Sequence, residues 1–347
     1  MDYLKIIFVY IGLIIGAGFA SGREICEYFN FCSNTDYTGV CVACILFIFI
    51  CYIILKKSMK CELYSIRDYI GSIFPNSNIL RRFFLCLIFC DLLCGMIVML
   101  SSCGEIISAQ FELPKIAGTL FLSIACFIVF IYDIKGIAVI NIILVPIITS
   151  VIIFIALGSI FSGLFQSAFL IGFTPDTNRN VFLCSVCYVS YNTLTAASVL
   201  SPLTKNINSQ KVIMLSSLTA GIIIGLLIFF LWYAIGINFS SVWYESFPLR
   251  KLAEGISTNL THIYTVCLIM SIFTTAVSEG YGIISYFKAD TKSRRIVLSL
   301  IMFAVLIPFS IINFASLVKY LYFYLGMFGT LWMIVILTDY FKNLKHI

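Results

Sequence analysis

The stretch "GAGFASGRE", residues 16–24, decides how this chain is read, because it interrupts an apolar run that begins at Tyr3 and continues beyond it. It holds three glycines, two alanines and a serine, and Arg23 and Glu24 follow directly. Glycine weakens a helix interior by about 1 kcal/mol relative to alanine. Two readings account for it here. Gly12, Gly16, Gly18, Ala17 and Ala20 can form a small-residue face for close helix packing, in the GxxxG manner. Alternatively the helix is broken, so that freed carbonyls can meet a cation and freed amides a carboxylate. Ser21, Gly22, Arg23 and Glu24 fit poorly against lipid and well against a water-filled cavity, which favours the break.

The surroundings are those of a membrane protein. Of 347 residues, 61% are hydrophobic and 11% charged, where soluble domains carry about 25% charge. Apolar runs long enough to cross ~30 Å of hydrocarbon recur throughout. Ten spans are expected, at about 4–30, 38–55, 80–109, 116–132, 136–161, 181–203, 212–236, 257–286, 296–312 and 316–341. A soluble catalytic domain has no room, and no paired carboxylates, Ser/His pair or nucleotide-binding loop suggests an enzyme or an ATP-driven pump.

Charge sets the expected orientation. Lys56, Lys57, Lys60, Arg67, Arg81 and Arg82 fall between spans two and three. Lys288, Lys292, Arg294 and Arg295 fall between eight and nine, and Lys342 and Lys345 in the tail. The opposite side has Lys115, Arg179, Arg250, Lys251 and Lys319, offset by Glu112, Asp176, Glu245 and Glu254. The positive-inside rule then puts both termini in the cytoplasm. The net charge of +6 is thus a topology signal with no nucleic-acid partner implied. Fourteen cysteines lie mostly within spans, where they act as small apolar residues. Cys184 and Cys187 form a CxxC without a second pair, so no metal centre is expected.

An odd number of spans on each side of the midpoint gives an inverted repeat. The expected halves are 1–162 and 181–347, joined by an extracellular linker at 163–180. "CGEIIS" (103–108) and "SEGYGIIS" (278–285) place Glu105 and Glu279 at corresponding depths of long helices, towards opposite faces. Segment 237–257 can form an external lid, and 56–80 a surface-lying segment.

A first helix reading "GAGFASGRE" in a ten-span chain of this length resembles the YkvI-type family of bacterial amino-acid permeases, of the amino acid–polyamine–cation superfamily. The resemblance implies an all-α LeuT-like fold, five plus five helices, with helices 1 and 6 discontinuous. It implies a symporter in the bacterial cytoplasmic membrane that carries a small amino acid or similar zwitterion by alternating access, driven by Na+ or H+, without other cofactors. A receptor of the same fold that senses an amino acid without turnover is the alternative. Where the family is expected to have glutamine after "FASG", this chain has Arg23.

The substrate would meet Gly16, Ala17, Gly18, Ser21 and Gly22 of the first helix. In the sixth span, "YVSYNTLT" (188–195) lacks a central glycine or proline and offers Tyr191, Asn192 and Thr193 instead. Ser271, Thr274 and Thr275 share one helix face and are similar to the sodium site of LeuT-type symporters, with carbonyls of Gly16 and Phe19 completing the shell. Protons are the rival coupling ion, through Asp91 and Glu279, since intramembrane carboxylates usually mark a pathway or relay. Span five lacks the lysine that stands in for sodium in some relatives. Arg23 is expected to act as an external gate, its partner being Glu24, Glu27, the distant Glu105 or the substrate carboxylate.

Overall fold

The computed structural model describes residues 2–32, 36–132, 137–162, 180–207, 209–287 and 291–344. The expected turn at 133–135, nearly all of the linker 163–180, and Lys288 and Lys345 lie outside the described residues.

The chain is all-helical among the described residues. The first apolar run forms three segments where one span was expected: α1 (Asp2–Ile14), α2 (Ala17–Ser21) and α3 (Arg23–Ile25), the last leading into a π-helical turn at Cys26–Asn30. α1 stops because Gly16 is extended (φ −91°, ψ −170°). α2 stops because Gly22 takes φ +80°, a conformation that costs an L-residue about 1–2 kcal/mol. A Cβ at Gly22 would also lie 2.9 Å from Leu249 Cδ1.

α4 (Thr38–Lys60) is a full span, and α5 (Ile66–Ile73) is the short helix of the expected surface segment. α6 (Asn78–Phe111), α7 (Lys115–Tyr132) and α8 (Ile137–Ser162) follow. The sixth span is α9 (Val181–Leu194) and α10 (Ala196–Leu200), bent by 43° and continued as a 3-10 turn that begins around Pro202. The bend falls at Thr195 without glycine or proline. Asn192, Thr193 and Ser198 instead donate side-chain hydrogen bonds to the carbonyls of Tyr188, Ser190 and Thr195, the back-bonding that bends helices.

α11 (Gln210–Ile237) is followed by α12 (Phe239–Val242) and α13 (Pro248–Ile256), which form the expected lid. α14 (Thr258–Tyr286), α15 (Lys292–Leu306), α16 (Phe314–Leu317) and α17 (Phe323–Leu344) complete the chain. α17 packs along α9 so closely that a Cβ on Gly329 would lie 2.7 Å from the Ser190 carbonyl.

Among the described residues, eight helices are long and apolar enough to span a bilayer, and the bent α9–α10 pair makes a ninth. α1 is a shorter apolar helix. Phe121, Ile124 and Ile128 of α7 and Leu300, Ile301 and Val305 of α15 are exposed around the outside, the inside-out arrangement that lipid permits. This is a multi-pass membrane protein.

Candidate substrate cavity

Two backbone carbonyls released by the breaks in the first span are met by side chains of α14, as membrane burial demands. Ser271 Oγ donates to the Ile15 carbonyl at 3.0 Å, and the Tyr264 hydroxyl to the Ala20 carbonyl at 2.7 Å. No backbone hydrogen bond ties the amides of Ala17, Gly18 or Phe19 to α1.

A cavity of about 330 Å³ reaches the break at Gly16. Met99 and Gly95 of α6, Thr275 and Glu279 of α14, Tyr191, Asn192 and Thr195 of the bent span, and Tyr322 line it. It extends past Asp91, Ser198, Val199 and Gly282 towards the end of the bundle where Arg67 donates to the Tyr286 carbonyl. At the other end, about 440 Å³ is enclosed by the tip of α6, the lid and Asn313. α2 and Arg23 lie between the two cavities.

Three carboxylates reach the first cavity: Glu24, Asp91 and Glu279. None has an ion pair, and no Lys, Arg or His lines the cavity among the described residues. Glu24 is 3% exposed and lies against Gly18, where a Cβ would stand 1.9 Å from its Oε1. Its Oε2 is buried without a hydrogen-bond partner. Glu279 lies against Gly95 in the same way, 2.2 Å from the site of a Cβ, and its Oε2 also lacks a partner. Asp91 is one turn before Gly95 and shares its face.

Beside Glu24 stands a cluster of tyrosines. Tyr28 stacks on Tyr191 at 5.8 Å, Tyr191 on Tyr322 at 4.8 Å, and Tyr188 closes the group at 5.4 Å from Tyr28. The hydroxyls of Tyr28, Tyr188 and Tyr191 are buried without a hydrogen-bond partner. The Tyr191 phenol stands beside the Glu24 carboxylate without a hydrogen bond of good geometry.

Of the expected substrate contacts, Gly16, Tyr191 and Asn192 line the cavity, whereas Ala17, Gly18, Ser21, Gly22 and Thr193 do not. Ser21 Oγ turns back to the Gly18 carbonyl at 2.8 Å and Thr193 Oγ1 to the Ser190 carbonyl at 3.0 Å. The expected cation group is assembled in part. Ser271 and Thr275 face the break, with Thr275 Cγ2 3.7 Å from where a Gly16 Cβ would be, whereas Thr274 Oγ1 turns back to the Ser271 carbonyl at 3.1 Å. The break falls at Ile15–Gly16, however, so the carbonyl meeting α14 is that of Ile15. The Gly16 carbonyl accepts from the Ala20 amide and that of Phe19 from the Gly22 amide, each at 2.9 Å.

Of the partners expected for Arg23, the structure joins it to Glu27 and not to Glu105. Arg23 is 6% exposed and bonds Glu27, one turn on. It also donates to the lid carbonyls of Trp243 (2.6 Å) and Glu245 (3.1 Å). Glu105 is taken up by Lys115 at 2.8 Å, Asn313 Nδ2 at 3.0 Å and the Phe314 amide at 2.8 Å. Its Oε1 therefore already receives three donors. The polar cluster of the sixth span, Ser190, Tyr191, Asn192, Thr193 and Thr195, was legible in the sequence, whereas Ile15, Tyr28, Tyr188 and Tyr322 were missed. The spacing of Glu24 to Tyr28 (i, i+4) and of Tyr188 to Tyr191 (i, i+3) was the available signal.

Two interrupted helices that face each other across a central cavity, within a bundle of long spans, define a membrane protein of the LeuT-type fold. The solved structures it is similar to share that architecture. A Na+-coupled sialic acid symporter matches with a TM-score of 0.67 at 12% identity, over 96% of this chain and 78% of that one. The inward-facing conformation of Mhp1 matches at 0.61 and 11% identity, over 98% and 76%. A manganese transporter of Eremococcus coleocola matches at 0.63 and 14% identity, over 96% and 78%.

In sequence, the chain is similar to two Bacillus subtilis proteins, both described as uncharacterised. YyaD is 27% identical over 338 residues, 97% of this chain and 96% of that one. The membrane protein YkvI is 26% identical over 283 residues, 80% and 79%. The resemblance carried by "GAGFASGRE" therefore extends over most of the chain. No protein-family model matches it.

Proposed function

We propose that the protein is a secondary transporter that carries a small amine-bearing solute, an amino acid or similar zwitterion, by alternating access. The observation that carries this reading is the asymmetry of the central cavity. Its lining runs from the break at Gly16 past Asp91 and Gly282 towards one end of the bundle, while Arg23 latches the lid carbonyls at the other. With both termini cytoplasmic by the positive-inside rule, the end it runs towards is the cytoplasmic one. The described geometry is then read as an inward-facing state. Residues 1–162 and 181–347 would be the two inverted five-helix halves, giving ten spans when α1–α3 count as one.

The coupling ion is sodium or a proton, each with its own residues. The hydroxyls of Ser271 and Thr275 stand at the helix break, with Thr274 beside them on the same helix, and hard cations favour such oxygen donors. Asp91 and Glu279 form an acidic pair without a base, which suits a group that takes up and releases a proton.

The test is uptake of a mixed amino-acid pool into proteoliposomes, under a sodium gradient and separately under a proton gradient. Accumulation that depends on one gradient is expected. Thr274→Ala with Thr275→Ala should abolish the sodium dependence, or Glu279→Gln the proton dependence. Ligand binding without accumulation under either gradient would replace the transporter with a sensor of the same fold.

A further inference from the structure

The cavity narrows the solute further; this rests on the transport reading above and departs from the zwitterion named there. A zwitterion needs two complementary sites: one for its ammonium and one for its carboxylate. Only the first is built here. The cavity wall holds Glu24, Asp91 and Glu279 and no basic side chain among the described residues. In LeuT-type transporters the substrate carboxylate docks at the start of a half-helix. In this chain the protein's own Glu24 carboxylate lies against Gly18, in the first turn of α2. A substrate carboxylate brought there would meet like charge and no compensating cation, which is how a site rejects a ligand.

The ammonium side is well supplied. Glu24 and Tyr191 line the cavity, and Glu24 Oε2 and the Tyr191 hydroxyl are buried and unpartnered, as are the hydroxyls of Tyr28 and Tyr188 behind them. Native proteins rarely leave such groups without partners unless a ligand or ion supplies them. Tyrosine faces also attract cations, and the Tyr28, Tyr191 and Tyr322 rings are stacked into one wall beside Glu24. We propose that Glu24 substitutes for the substrate carboxylate, so that the solute carried is a small organic cation, a protonated amine without a carboxylate. At about 330 Å³ the cavity is at the small end for ligand sites, which limits the amine to a short chain.

The experiment compares matched pairs that differ only by the carboxylate: alanine with ethylamine, and lysine with cadaverine. Binding is measured calorimetrically on the purified full-length protein in nanodiscs, and uptake in proteoliposomes. The amine of each pair should bind at least about tenfold more tightly than its amino acid. Glu24→Gln, nearly isosteric, should weaken amine binding by about tenfold or more with its unfolding temperature unchanged. Tyr191→Leu serves as the second variant if Glu24→Gln does not fold, and should weaken amine binding in the same direction. Three results would overturn the proposal: an amino acid that binds as tightly as its amine, amine affinity indifferent to both substitutions, or no amine binding at all. Amines that bind but never accumulate would leave the site assignment standing and remove the transport reading instead. Accumulated amino acids without amine binding would do the reverse.

Discussion

The two cavities each contain three carboxylates and treat them in opposite ways. In the lid-side cavity, Glu105, Glu245 and Glu254 face Lys115, Arg250 and Lys251. Glu105 is held by Lys115, Asn313 and the Phe314 amide, and Glu254 by Arg250 and Lys251. In the central cavity Glu24, Asp91 and Glu279 face tyrosines, glycines and hydroxyls. A buried acid with three donors is structural, because its charge is already answered inside the fold. A buried acid without any is kept at a cost to stability. Such a group makes sense when something outside the protein completes it.

The largest expected effect tests the structural half of that contrast. Glu105→Ala removes the shared acceptor of three donors and strands the buried Phe314 N–H, while the exposed Asn313 amide can turn to water. The loss should be roughly 2–3 kcal/mol in unfolding of the purified protein. Affinity for a cavity ligand should remain within about twofold, since Glu105 is not in that cavity. A Glu105→Ala protein as stable as wild type would erase the distinction between the two cavities.

The next effect tests the functional half. Nothing larger than hydrogen fits at Gly18 while Glu24 keeps its place, because the new methyl would be 1.9 Å from Oε1. Gly18→Ala should therefore displace Glu24 and weaken ligand binding by about tenfold, or 1.4 kcal/mol. Gly95→Ala would push on Glu279 instead, with its Cβ 2.2 Å from Oε1. It should slow ion-dependent uptake more than it weakens binding. Equal loss of binding in both variants would merge the two acids into one site and sharpen the comparison differently.

These glycines show what the sequence could and could not disclose. The run of small residues marks the first broken helix because no apolar packing explains Ser21–Glu24. It cannot locate the break, since Gly12, Gly16, Gly18 and Gly22 are equivalent by composition, and only the φ and ψ angles of Gly16 and Gly22 separate them. The second break was harder to see. Thr195 is no helix breaker, and its bend comes from back-bonding by neighbouring side chains that read equally well as helix glue. Ser271, Thr274 and Thr275 were legible because their spacing is local to one helix. The tyrosine cluster was not, because Tyr28, Tyr188 and Tyr322 come from separate elements that meet only in the fold.

A smaller effect concerns Lys115. Its side chain is 44% exposed although it bonds Glu105, so water screens the pair and much of its Coulomb energy is lost. Lys115→Met should cost less than about 1 kcal/mol, well below Glu105→Ala. The Asn313 and Phe314 donors still hold the carboxylate. A Lys115→Met protein as unstable as Glu105→Ala would mean that charge, and not hydrogen bonding, anchors α16 to α6.

The smallest expected quantity is the coupling between Arg23 and Glu105. A salt bridge between them would make an external gate, and Arg23→Gln and Glu105→Gln would then be strongly non-additive in uptake. The structure joins each to other partners. Arg23 holds Glu27 and the lid carbonyls of Trp243 and Glu245, whereas Glu105 holds α7 and α16 through Lys115 and the Phe314 amide. With no shared partner, their effects should add within about 0.5 kcal/mol. Arg23→Gln alone should loosen the lid, because it loses the charge-assisted bond to Glu27 and weakens those to the carbonyls. A cysteine placed at Ser246, beside the latch on the lid-side cavity, should then react faster with an impermeant thiol reagent than it does in the Arg23 protein. Cys26 and Cys32 nearby are buried, so the background to subtract is that of the exposed Cys41, Cys61, Cys86 and Cys90, read from the protein without the added cysteine. Coupling above about 1 kcal/mol would mean that Arg23 and Glu105 meet in another state of the cycle. The lid-side cavity would then no longer be purely structural.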